Sequence, residues 1–335
     1  MNTARSPLRV GLVGAGWVTQ HHLPGWQRLA GRAQVVAIAD PSESRARERA
    51  REFGIEQVYT DAATMFDRAK LDAVDIAAPR EAHADLVRLA ADRGLAVLCQ
   101  KPLAPTLAEA RALVADVATR TRLMVHENWR FRPYYRQISD WLRSARIGRV
   151  VQAQMTVLSS GLIPDADGKL PVIVRQPFIA TLDRALVMEV LIHQIDTLRF
   201  LLGDMQVAHS RLGKTCRATV GEDRAFVTFD AVSGAAVGLL ANLCTHGEPP
   251  LKPDTLVLVG EDGCIRLDGD TLRCHGPRPA EQHYDLAACY LDSYAATIAH
   301  FVGALASGSE FETAPADNLR TLKLVEDIYA RAALD

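Results

Sequence analysis

The sequence predicts a two-domain α/β protein, with a doubly wound parallel sheet in the first domain and a large, open, mainly antiparallel sheet in the second. Up to about residue 126, short apolar runs alternate with segments of helical periodicity, a pattern typical of parallel strands joined by helices. From residue 150 alternating strands are separated by turns such as residues 261–263 and 268–270, which favour antiparallel hairpins. A chain of 335 residues is long enough for both domains.

The first domain is expected to span residues 1–125. Its strands are predicted at residues 8–13, 34–39, 57–59, 73–78, 96–99 and 123–126. The helices that follow the first five strands are predicted at residues 17–29, 43–53, 63–68, 81–93 and 107–119. Asp61 and Thr106 are the expected N-caps of two helices, and Gly54 and Gly94 end two others. Strands and helices alternating at these lengths predict a parallel sheet with helices on both faces.

The second domain is expected to span residues 126–335. Its predicted strands are 150–158, 207–212, 225–231, 235–243, 255–259, 264–267 and 271–274, and its predicted helices are 134–144, 183–202, 286–305 and 316–333. Residues 161–176 contain several prolines and glycines, which predict a loop. We expect one open sheet with helices on one face, and the C-terminal helices are free to pack back on the first domain.

Composition excludes several classes of function. A formal net charge of −2 and the absence of a Lys/Arg-rich run argue against a nucleic-acid partner. The six cysteines are scattered, with no C-x-x-C pair and no Cys/His spacing typical of a metal site, so we expect reduced thiols and no bound metal. No apolar run is long enough to cross a membrane, and the first apolar stretch belongs to the sheet rather than to a leader. We therefore expect a soluble, cytoplasmic protein.

A glycine turn follows the first strand directly. Gly14 and Gly16 stand between that strand and the expected helix, which is the context of a dinucleotide-binding fingerprint. The first glycine permits the tight turn, the second lets the backbone approach a pyrophosphate, and the helix start at Trp17 and Val18 offers N–H groups to that anion. Thr19 replaces the third glycine of the fingerprint. The alternative is an ordinary turn whose glycines serve packing only.

The second strand ends in an acidic residue, Asp40. An acidic residue at this point binds the adenosine ribose hydroxyls of NAD and repels the 2′-phosphate of NADP. NAD is therefore the expected cofactor. Ser42 and Arg45 follow closely in the sequence and can reach a phosphate, which leaves NADP open as the alternative.

A lysine, Lys101, follows the fifth strand. Ligands of an open parallel sheet bind beyond the carboxyl ends of its strands, so this lysine is expected at the ligand crevice. It can donate hydrogen bonds to a substrate hydroxyl and stabilise negative charge that develops on the oxygen. The alternative is a solvent-exposed lysine before a proline turn.

Three ionisable residues lie along one face of the predicted helix 183–202. Glu189, His193 and Asp196 are spaced i, i+4 and i+7 within an otherwise apolar segment. Burying three such groups costs several kcal/mol unless they are paired or hydrated, which indicates a cavity. A histidine beside a carboxylate is suited to act as a general base near neutral pH. The alternative is a structural polar seam between the domains.

Polar and aromatic residues mark the junction between the domains. Arg130, Arg132 and Tyr134 lie there, and such groups suit the binding of a polyol or an acid. The two arginines equally suit ion pairs at the domain interface, so both interpretations stay open.

These motifs, in this order, resemble the Gfo/Idh/MocA family, named after glucose–fructose oxidoreductase, inositol dehydrogenase and a rhizopine catabolism protein. The resemblance covers essentially the whole chain. It rests on Gly14-Ala15-Gly16, Asp40, residues 72–79 with His83, Lys101-Pro102, residues 128–133, His193-x-x-Asp196 with Gly203, and residues 260–263. It implies a Rossmann domain that binds NAD(P), with Pro79, His83 and Lys101 also near the cofactor. It further implies a homodimer or homotetramer formed through the second sheet.

Two of the family motifs are altered in this chain. The catalytic lysine of the family falls on Lys101, but Gln100 stands where the family has glutamate, which removes a negative charge beside the lysine. The family motif Asp-x-Gly-x-His-x-x-Asp falls on Glu189, Leu191, His193 and Asp196. Glutamate keeps the carboxylate with a longer reach, and leucine replaces a small residue near the site. Redox chemistry is still expected, while the substrate is left open.

The resemblance and the residues together predict an NAD(P)-dependent dehydrogenase that acts on a secondary alcohol of a sugar, inositol or related polyol. His193 is expected to take the hydroxyl proton, Lys101 to hold and polarise the oxygen, and Glu189 to orient one of them. Asp196 is expected on the substrate or behind it, with Arg130 and Tyr134 also toward the substrate. Two alternatives are an NAD-dependent glycosidase or lyase with transient oxidation and no net redox change, and a non-catalytic nucleotide-binding regulator.

Overall fold

The computed structural model describes residues 6–251 and 254–334. The chain divides into two compact units. The first unit runs to Phe131 and also includes Tyr290–Leu322, and the second comprises Arg132–Cys289 and the residues from Lys323 onward. The first unit is therefore assembled from two separate stretches of the sequence.

The first unit contains a parallel sheet of six strands within the described residues. They are β1 (Leu8–Val13), β2 (Ala33–Ala39), β3 (Gln57–Tyr59), β4 (Ala73–Ile76), β5 (Ala96–Gln100) and β6 (Leu123–His126). Their order across the sheet is β3-β2-β1-β4-β5-β6, and each adjacent pair is parallel. This is the doubly wound sheet that the sequence predicts, and its strand order changes direction between β1 and β4.

Helices follow the strands of this sheet as predicted. They are α1 (Thr19–Gln27), α2 (Glu43–Phe53), α3 (Ala62–Arg68), α4 (His83–Ala91) and α5 (Leu107–Val117). Thr106 caps α5 through a reciprocal pair of bonds, in which the Thr106 hydroxyl accepts from the Glu109 N–H at 3.2 Å and the Glu109 carboxylate accepts from the Thr106 N–H at 3.1 Å. Asp61 caps α3 by accepting from the Thr64 N–H at 2.8 Å. Both predicted caps are confirmed.

The second unit contains a mainly antiparallel sheet of nine strands within the described residues. They are β7 (Val150–Leu158), β8 (Met205–Gly213), β9 (Arg224–Ala231), β10 (Ala236–Asn242), β11 (Thr255–Gly260), β12 (Cys264–Asp268), β13 (Thr271–His275), β14 (Ala280–His283) and β15 (Ala333–Leu334). Their order is β14-β13-β12-β11-β7-β10-β9-β8-β15, and only the pairs β10–β7 and β15–β8 are parallel among those described. The predicted fold class is confirmed. The short strands β14 and β15 were not predicted, because neither is long enough to show a periodic pattern.

The helices of the second unit differ from prediction at one important place. They are α6 (Pro133–Arg143), α7 (Pro171–Arg175) and α8 (Ile192–Leu202). The prediction of one continuous helix over 183–202 is wrong, because residues Leu186–Leu191 form a π-helical turn ahead of α8. The expected loop 161–176 contains the short helix α7. Neither difference has a signal in the local apolar pattern.

Two C-terminal helices end the fold, α9 (Leu286–Ser307) and α10 (Pro315–Arg331). Within the first unit, Phe301 of α9 meets Trp26 edge-on at 6.4 Å between ring centroids and stacks on Phe311 at 5.4 Å. These rings belong to one apolar core with buried residues of β1 and β2 such as Leu12 and Ile38. Among the described residues, no helix combines the length and apolar character needed to cross a membrane.

Removal of the α5 cap should destabilise the protein. Thr106→Ala removes the hydroxyl that accepts from the Glu109 N–H, although the backbone N–H of residue 106 can still donate to the Glu109 carboxylate. The substitution is expected to lower the free energy of unfolding by about 1 kcal/mol. Ser42→Ala is the matched control, because Ser42 is the N-cap of α2 but its side chain makes no capping hydrogen bond, and its effect should stay within about 0.5 kcal/mol. Urea unfolding followed by circular dichroism measures both, and equal losses would contradict the capping assignment.

Candidate active site

Several loops of the first unit leave its sheet at one edge. Because β1, β2, β4 and β5 are parallel neighbours, the residues after them all emerge at the carboxyl edge of the sheet. Gly14 follows β1, Asp40 follows β2 and Lys101 follows β5. Ligands of open parallel sheets bind beyond this edge where the strand order changes direction. The structure thus brings three of the predicted site elements to one edge of one sheet.

The two glycines of the turn are needed for different reasons. Gly14 has φ of +106°, and a Cβ added to it would lie 2.5 Å from the carbonyl oxygen of Ala77, just after β4. The protein itself therefore excludes a side chain at position 14. A Cβ on Gly16 would meet no atom of the described residues within 4 Å. Glycine at position 16 leaves room beside the backbone, which suits a ligand that approaches the backbone closely.

Helix α1 begins directly after this turn. Its N-cap is Val18, which makes no side-chain capping bond, and no acidic residue lies in its first turn. The first N–H groups of a helix carry partial positive charge and bind anions such as phosphate. Trp17, between the turn and the helix, is 41 % exposed. This helix start therefore suits a pyrophosphate group.

Asp40 is joined to the glycine turn by hydrogen bonds. Its Oδ2 accepts from the Ala15 N–H at 2.8 Å, and its Oδ1 accepts from the Ser42 N–H at 2.8 Å. Arg45, which is largely exposed, donates to the same Oδ1 at 3.1 Å. Asp40 thus fixes the shape of the turn, a role that the sequence did not reveal. Arg45 is paired with Asp40, where the sequence offered it as a phosphate ligand.

The loop that carries Lys101 begins at the end of β5. Lys101 is half-buried, and its backbone N–H donates to the side-chain Oε1 of Gln100 at 2.8 Å. The peptide bond between Lys101 and Pro102 is cis. The side chain of Gln100 is itself buried, so this loop starts from a fixed point in the interior.

His83 connects the Lys101 loop with the loop that follows β4. Its Nδ1 lies 2.9 Å from the Pro102 carbonyl oxygen, and its Nε2 lies 2.9 Å from the Ala78 carbonyl oxygen. Burial lowers the pKa of His83, against the opposing effect of the two carbonyls, so the ring is neutral near pH 7 and donates to one of them. The resemblance placed His83 and the neighbouring Pro79 near the cofactor. The structure shows His83 buried with both ring nitrogens against backbone.

Glu189 and His193 lie on different kinds of helix. The π-helical turn Leu186–Leu191 carries Glu189, and α8 carries His193 and Asp196. The predicted stripe assumed α-helical spacing throughout, whereas a π-helical turn holds more residues per turn and displaces Glu189 from it. His193 and Asp196 keep i, i+3 spacing on α8 and share a face. Glu189 and His193 are half-buried, and Asp196 is buried.

The start of the π-helical turn is held by two residues from elsewhere in the second unit. The Glu222 carboxylate accepts from the Val187 N–H at 2.9 Å and from the Ala185 N–H at 3.3 Å. The Tyr329 hydroxyl donates to Glu222 at 2.6 Å and accepts from the Met188 N–H at 3.2 Å. Burial and the Glu222 carboxylate raise the pKa of Tyr329 well above its usual value. Sequence analysis missed both residues, because nothing local links them to this turn.

A buried carboxylate also supports α8 beside His193. Asp254 accepts from the Gln194 side-chain amide at 2.9 Å and from the Tyr135 hydroxyl at 2.9 Å. Gln194 is the residue after His193, and Tyr135 lies on α6. These bonds fix the position of α8 against α6 within the second unit.

The arginines and the tyrosine at the junction bond to other groups of the protein. Arg130 pairs with the Asp317 carboxylate at 2.7 Å inside the first unit. Arg132 donates to the Tyr134 hydroxyl at 2.6 Å inside the second unit. Burial raises the pKa of Tyr134 to about 12, so its hydroxyl stays protonated. Arg130 is an ion-pair residue, one of the two interpretations left open by the sequence, but the pair lies within one unit.

Two family models match consecutive parts of the chain. Residues 8–128 match the oxidoreductase family with an NAD-binding Rossmann fold, and residues 135–266 match the GFO/IDH/MocA C-terminal domain. The chain belongs to the GFO/IDH/MocA family. The resemblance noted from the sequence is therefore confirmed, and so is its Rossmann domain.

Two relatives of this chain are named as dehydrogenases. The D-apiose dehydrogenase of Paraburkholderia graminis is 35 % identical over 334 residues, which cover 96 % of this chain and 86 % of the relative. The inositol 2-dehydrogenase of Rhizobium meliloti is 27 % identical over 95 % of each chain. This chain is also similar to the crystal structure of an oxidoreductase from Agrobacterium radiobacter in complex with NAD+, L-tartaric acid and magnesium. The two structures have a TM-score of 0.90 and 29 % sequence identity, and the match covers 97 % of this chain and 96 % of that chain.

Family membership makes this chain an NAD-dependent oxidoreductase acting on CH–OH groups, and its residues fit that cofactor. The open side of Gly16, the helix start at Val18 and the carboxylate of Asp40 are the features that an NAD site requires. No group of three or more His, Cys, Asp or Glu residues able to hold a metal occurs in the described part of the chain.

Alanine at the two glycines should separate folding from nucleotide binding. Gly14→Ala forces a Cβ against the Ala77 carbonyl at positive φ and should cost more than about 2 kcal/mol of stability. Gly16→Ala should change stability by less than about 0.5 kcal/mol while raising the Kd for NAD+ at least about tenfold, or about 1.4 kcal/mol. Thermal unfolding without nucleotide and titration calorimetry measure the two effects. Normal NAD+ binding by Gly16→Ala would contradict the assignment of this turn.

Proposed function

We propose that this dehydrogenase oxidises a secondary alcohol of a small sugar or polyol, with D-apiose the first substrate to test. The observation that carries the proposal is the position of Lys101, half-buried at the same sheet edge as the glycine turn. A cation fixed beside a nicotinamide site can hold a substrate oxygen and stabilise its developing charge. D-apiose comes before inositol because the relative named for D-apiose is the more similar of the two, at 35 % against 27 % identity.

Each predicted residue then has a chemical role. His193 takes the hydroxyl proton as general base, Glu189 orients it, and Lys101 holds the hydroxyl oxygen. NAD+ supplies, when bound, the acceptor for the hydride that leaves the carbinol carbon, so alcohol and NAD+ give a carbonyl compound, NADH and a proton. Asp196 supports His193 from the next turn of α8. The polar groups of Arg130 and Tyr134 bond to protein partners, and their contact with the substrate stays a prediction.

Cofactor contacts are proposed for the edge of the first sheet. Gly14, Gly16, Trp17 and Val18 surround the pyrophosphate, and Asp40 faces the adenosine ribose. The Asp40 carboxylate would repel a 2′-phosphate, and the pairing of Arg45 with Asp40 reduces the pull of that arginine on a phosphate. We therefore propose NAD as the cofactor in preference to NADP.

Removal of the proposed general base or of the lysine should abolish most turnover. His193→Asn and Lys101→Met are each expected to lower kcat by about 10² to 10⁴-fold, while the Kd for NAD+ stays close to the parent value. His209→Asn and Lys214→Met are matched controls at exposed positions and should keep full activity. Calorimetry with NAD+, NADH, NADP+ and NADPH first measures cofactor binding. The activity assay then follows the absorbance of NADH with D-apiose and afterwards with inositol as substrate. Unchanged kcat in both site variants would refute the assignments.

We also propose that the protein forms homodimers or homotetramers through the sheet of the second unit. On one face of this sheet Phe226 of β9 is 48 % exposed and stands opposite Leu240 of β10. Exposed apolar side chains on a strand face favour coverage by a partner. Sedimentation velocity should show a dimer or larger, and Phe226→Glu should shift it toward monomer. A parent protein that is monomeric at micromolar concentration would contradict this proposal.

A cytoplasmic location is proposed from the state of the thiols. The six cysteines form no disulfide in the described residues, and reduced thiols are typical of the cytoplasm. NAD-dependent turnover is consistent with the same compartment.

A further inference from the structure

A chain of buried hydrogen bonds leads from the interior of the first unit to the backbone of Lys101. The Trp26 Nε1–H donates to Asp75 Oδ2 at 2.7 Å, and His22 Nδ1 lies 2.8 Å from the same oxygen. His22 Nε2 lies 2.9 Å from Gln100 Nε2, and Gln100 Oε1 accepts the Lys101 N–H at 2.8 Å. His22 and Asp75 have no exposed surface, and Gln100 is 8 % exposed. Side chains from α1, β4 and β5 therefore meet behind the catalytic lysine.

The direction of every bond in this chain follows from the Lys101 N–H, which can only donate. It requires the Gln100 carbonyl oxygen on its side, so the Gln100 amide NH2 points to His22. An amide NH2 can only donate, and His22 Nε2 must therefore be the acceptor. The single proton of the neutral ring is left on Nδ1, where it is donated to Asp75.

Ionisable residues from three elements surround His22. The ionisable groups that face it are Asp75 from β4, His126 from β6 and Tyr294 from α9. The His126 ring stacks on it at 4.2 Å between centroids, and the Tyr294 ring lies at 5.3 Å.

We propose that His22 and Gln100 are positioning residues for Lys101, and that Gln100 sets His22 in the neutral Nδ1–H form. The proposal rests on the proposed function of Lys101. Family members have glutamate where this chain has Gln100. In this protein every hydrogen bond between Asp75 and the Lys101 N–H forms without a proton on His22 Nε2. The support of Lys101 therefore does not change across the neutral pH range.

The substitution Gln100→Glu should change this proton arrangement. The new carboxylate can still accept the Lys101 N–H, but its other oxygen has no hydrogen to offer to His22 Nε2. Two acceptors would then face each other in a buried site, which is costly. His22 is therefore expected to bind a second proton and donate it to the new carboxylate. The support of Lys101 would then depend on a proton that leaves as pH rises.

Ring nitrogen NMR tests the proton assignment without any substrate. In uniformly ¹⁵N-labelled protein, long-range ¹H–¹⁵N spectra distinguish the neutral Nδ1–H, the neutral Nε2–H and the doubly protonated ring, and His22→Asn assigns the signals. We expect His22 in the parent protein to be the neutral Nδ1–H form at pH 7, and in Gln100→Glu to be doubly protonated. A doubly protonated or Nε2–H ring in the parent, or an unchanged neutral ring in Gln100→Glu, would overturn the proposal.

Kinetics tests the positioning role. Gln100→Met removes the acceptor for the Lys101 N–H and should lower kcat about 10²-fold through misplacement of the lysine, with the Kd for NAD+ unchanged. The kcat of Gln100→Glu should stay within about tenfold of the parent value at pH 6. Above the pH at which the added proton dissociates, its kcat should fall about tenfold per pH unit, and the pH profile of the parent should lack this decrease. Gln34→Glu is the control, because Gln34 is exposed near the start of β2, at the amino edge of the sheet that carries Lys101 at its carboxyl edge. Parent-like kcat in Gln100→Met, or parallel pH profiles, would overturn the positioning role.

The two readouts separate this proposal from the proposed function. Absence of NADH formation with every sugar would refute the proposed function, while the ring spectra would still uphold or overturn the state of His22. Should Gln100→Met fail to fold, as shown by its thermal transition, the nearly isosteric Gln100→Glu carries both tests.

Discussion

The close approach of the loops after β1 and β4 is the constraint on which the rest of the first unit depends. Gly14 passes so near the Ala77 carbonyl that only hydrogen fits between them. This contact sets the path of the turn, and Asp40 then holds the next residue, Ala15, by its N–H. Three strands are thus joined at one edge by contacts that need no ligand. A turn already fixed in this way loses little conformational entropy when it binds a nucleotide.

Sequence reasoning predicted what local patterns encode. The order of strands and helices, the glycine turn, Asp40, the caps at Asp61 and Thr106 and the place of Lys101 each follow from neighbouring residues. The π-helical turn around Glu189 was missed because it depends on Glu222 and Tyr329, which come from distant parts of the chain. The roles of His22 and Asp75 were missed for the same reason. The sequence around a buried histidine on a helix does not indicate which carboxylate of the sheet the histidine contacts.

The departures from the family motifs have different physical meanings. Gln100 has the size of the expected glutamate but donates where a carboxylate would accept, so it changes the proton arrangement behind Lys101. Leu191 is fully buried at the end of the π-helical turn, and its effect is on the packing of the second unit. Glu189 keeps a carboxylate, displaced by the π-helical geometry. The altered residues therefore change the protonation of the groups behind Lys101 and the packing that supports the site. They change the set of reactive groups less.

The first unit takes part of its core from residues far along the chain. Trp26 packs against Phe301, and Arg122 donates to the Ala304 carbonyl at 3.0 Å. During synthesis the nucleotide-binding sheet is complete long before α9 leaves the ribosome. At typical elongation rates of roughly 5–20 residues per second, the apolar face around Trp26 then stays uncovered for on the order of ten seconds or more. During that interval the uncovered apolar surface exposes the nascent chain to aggregation, and the exposure ends only when α9 packs against it.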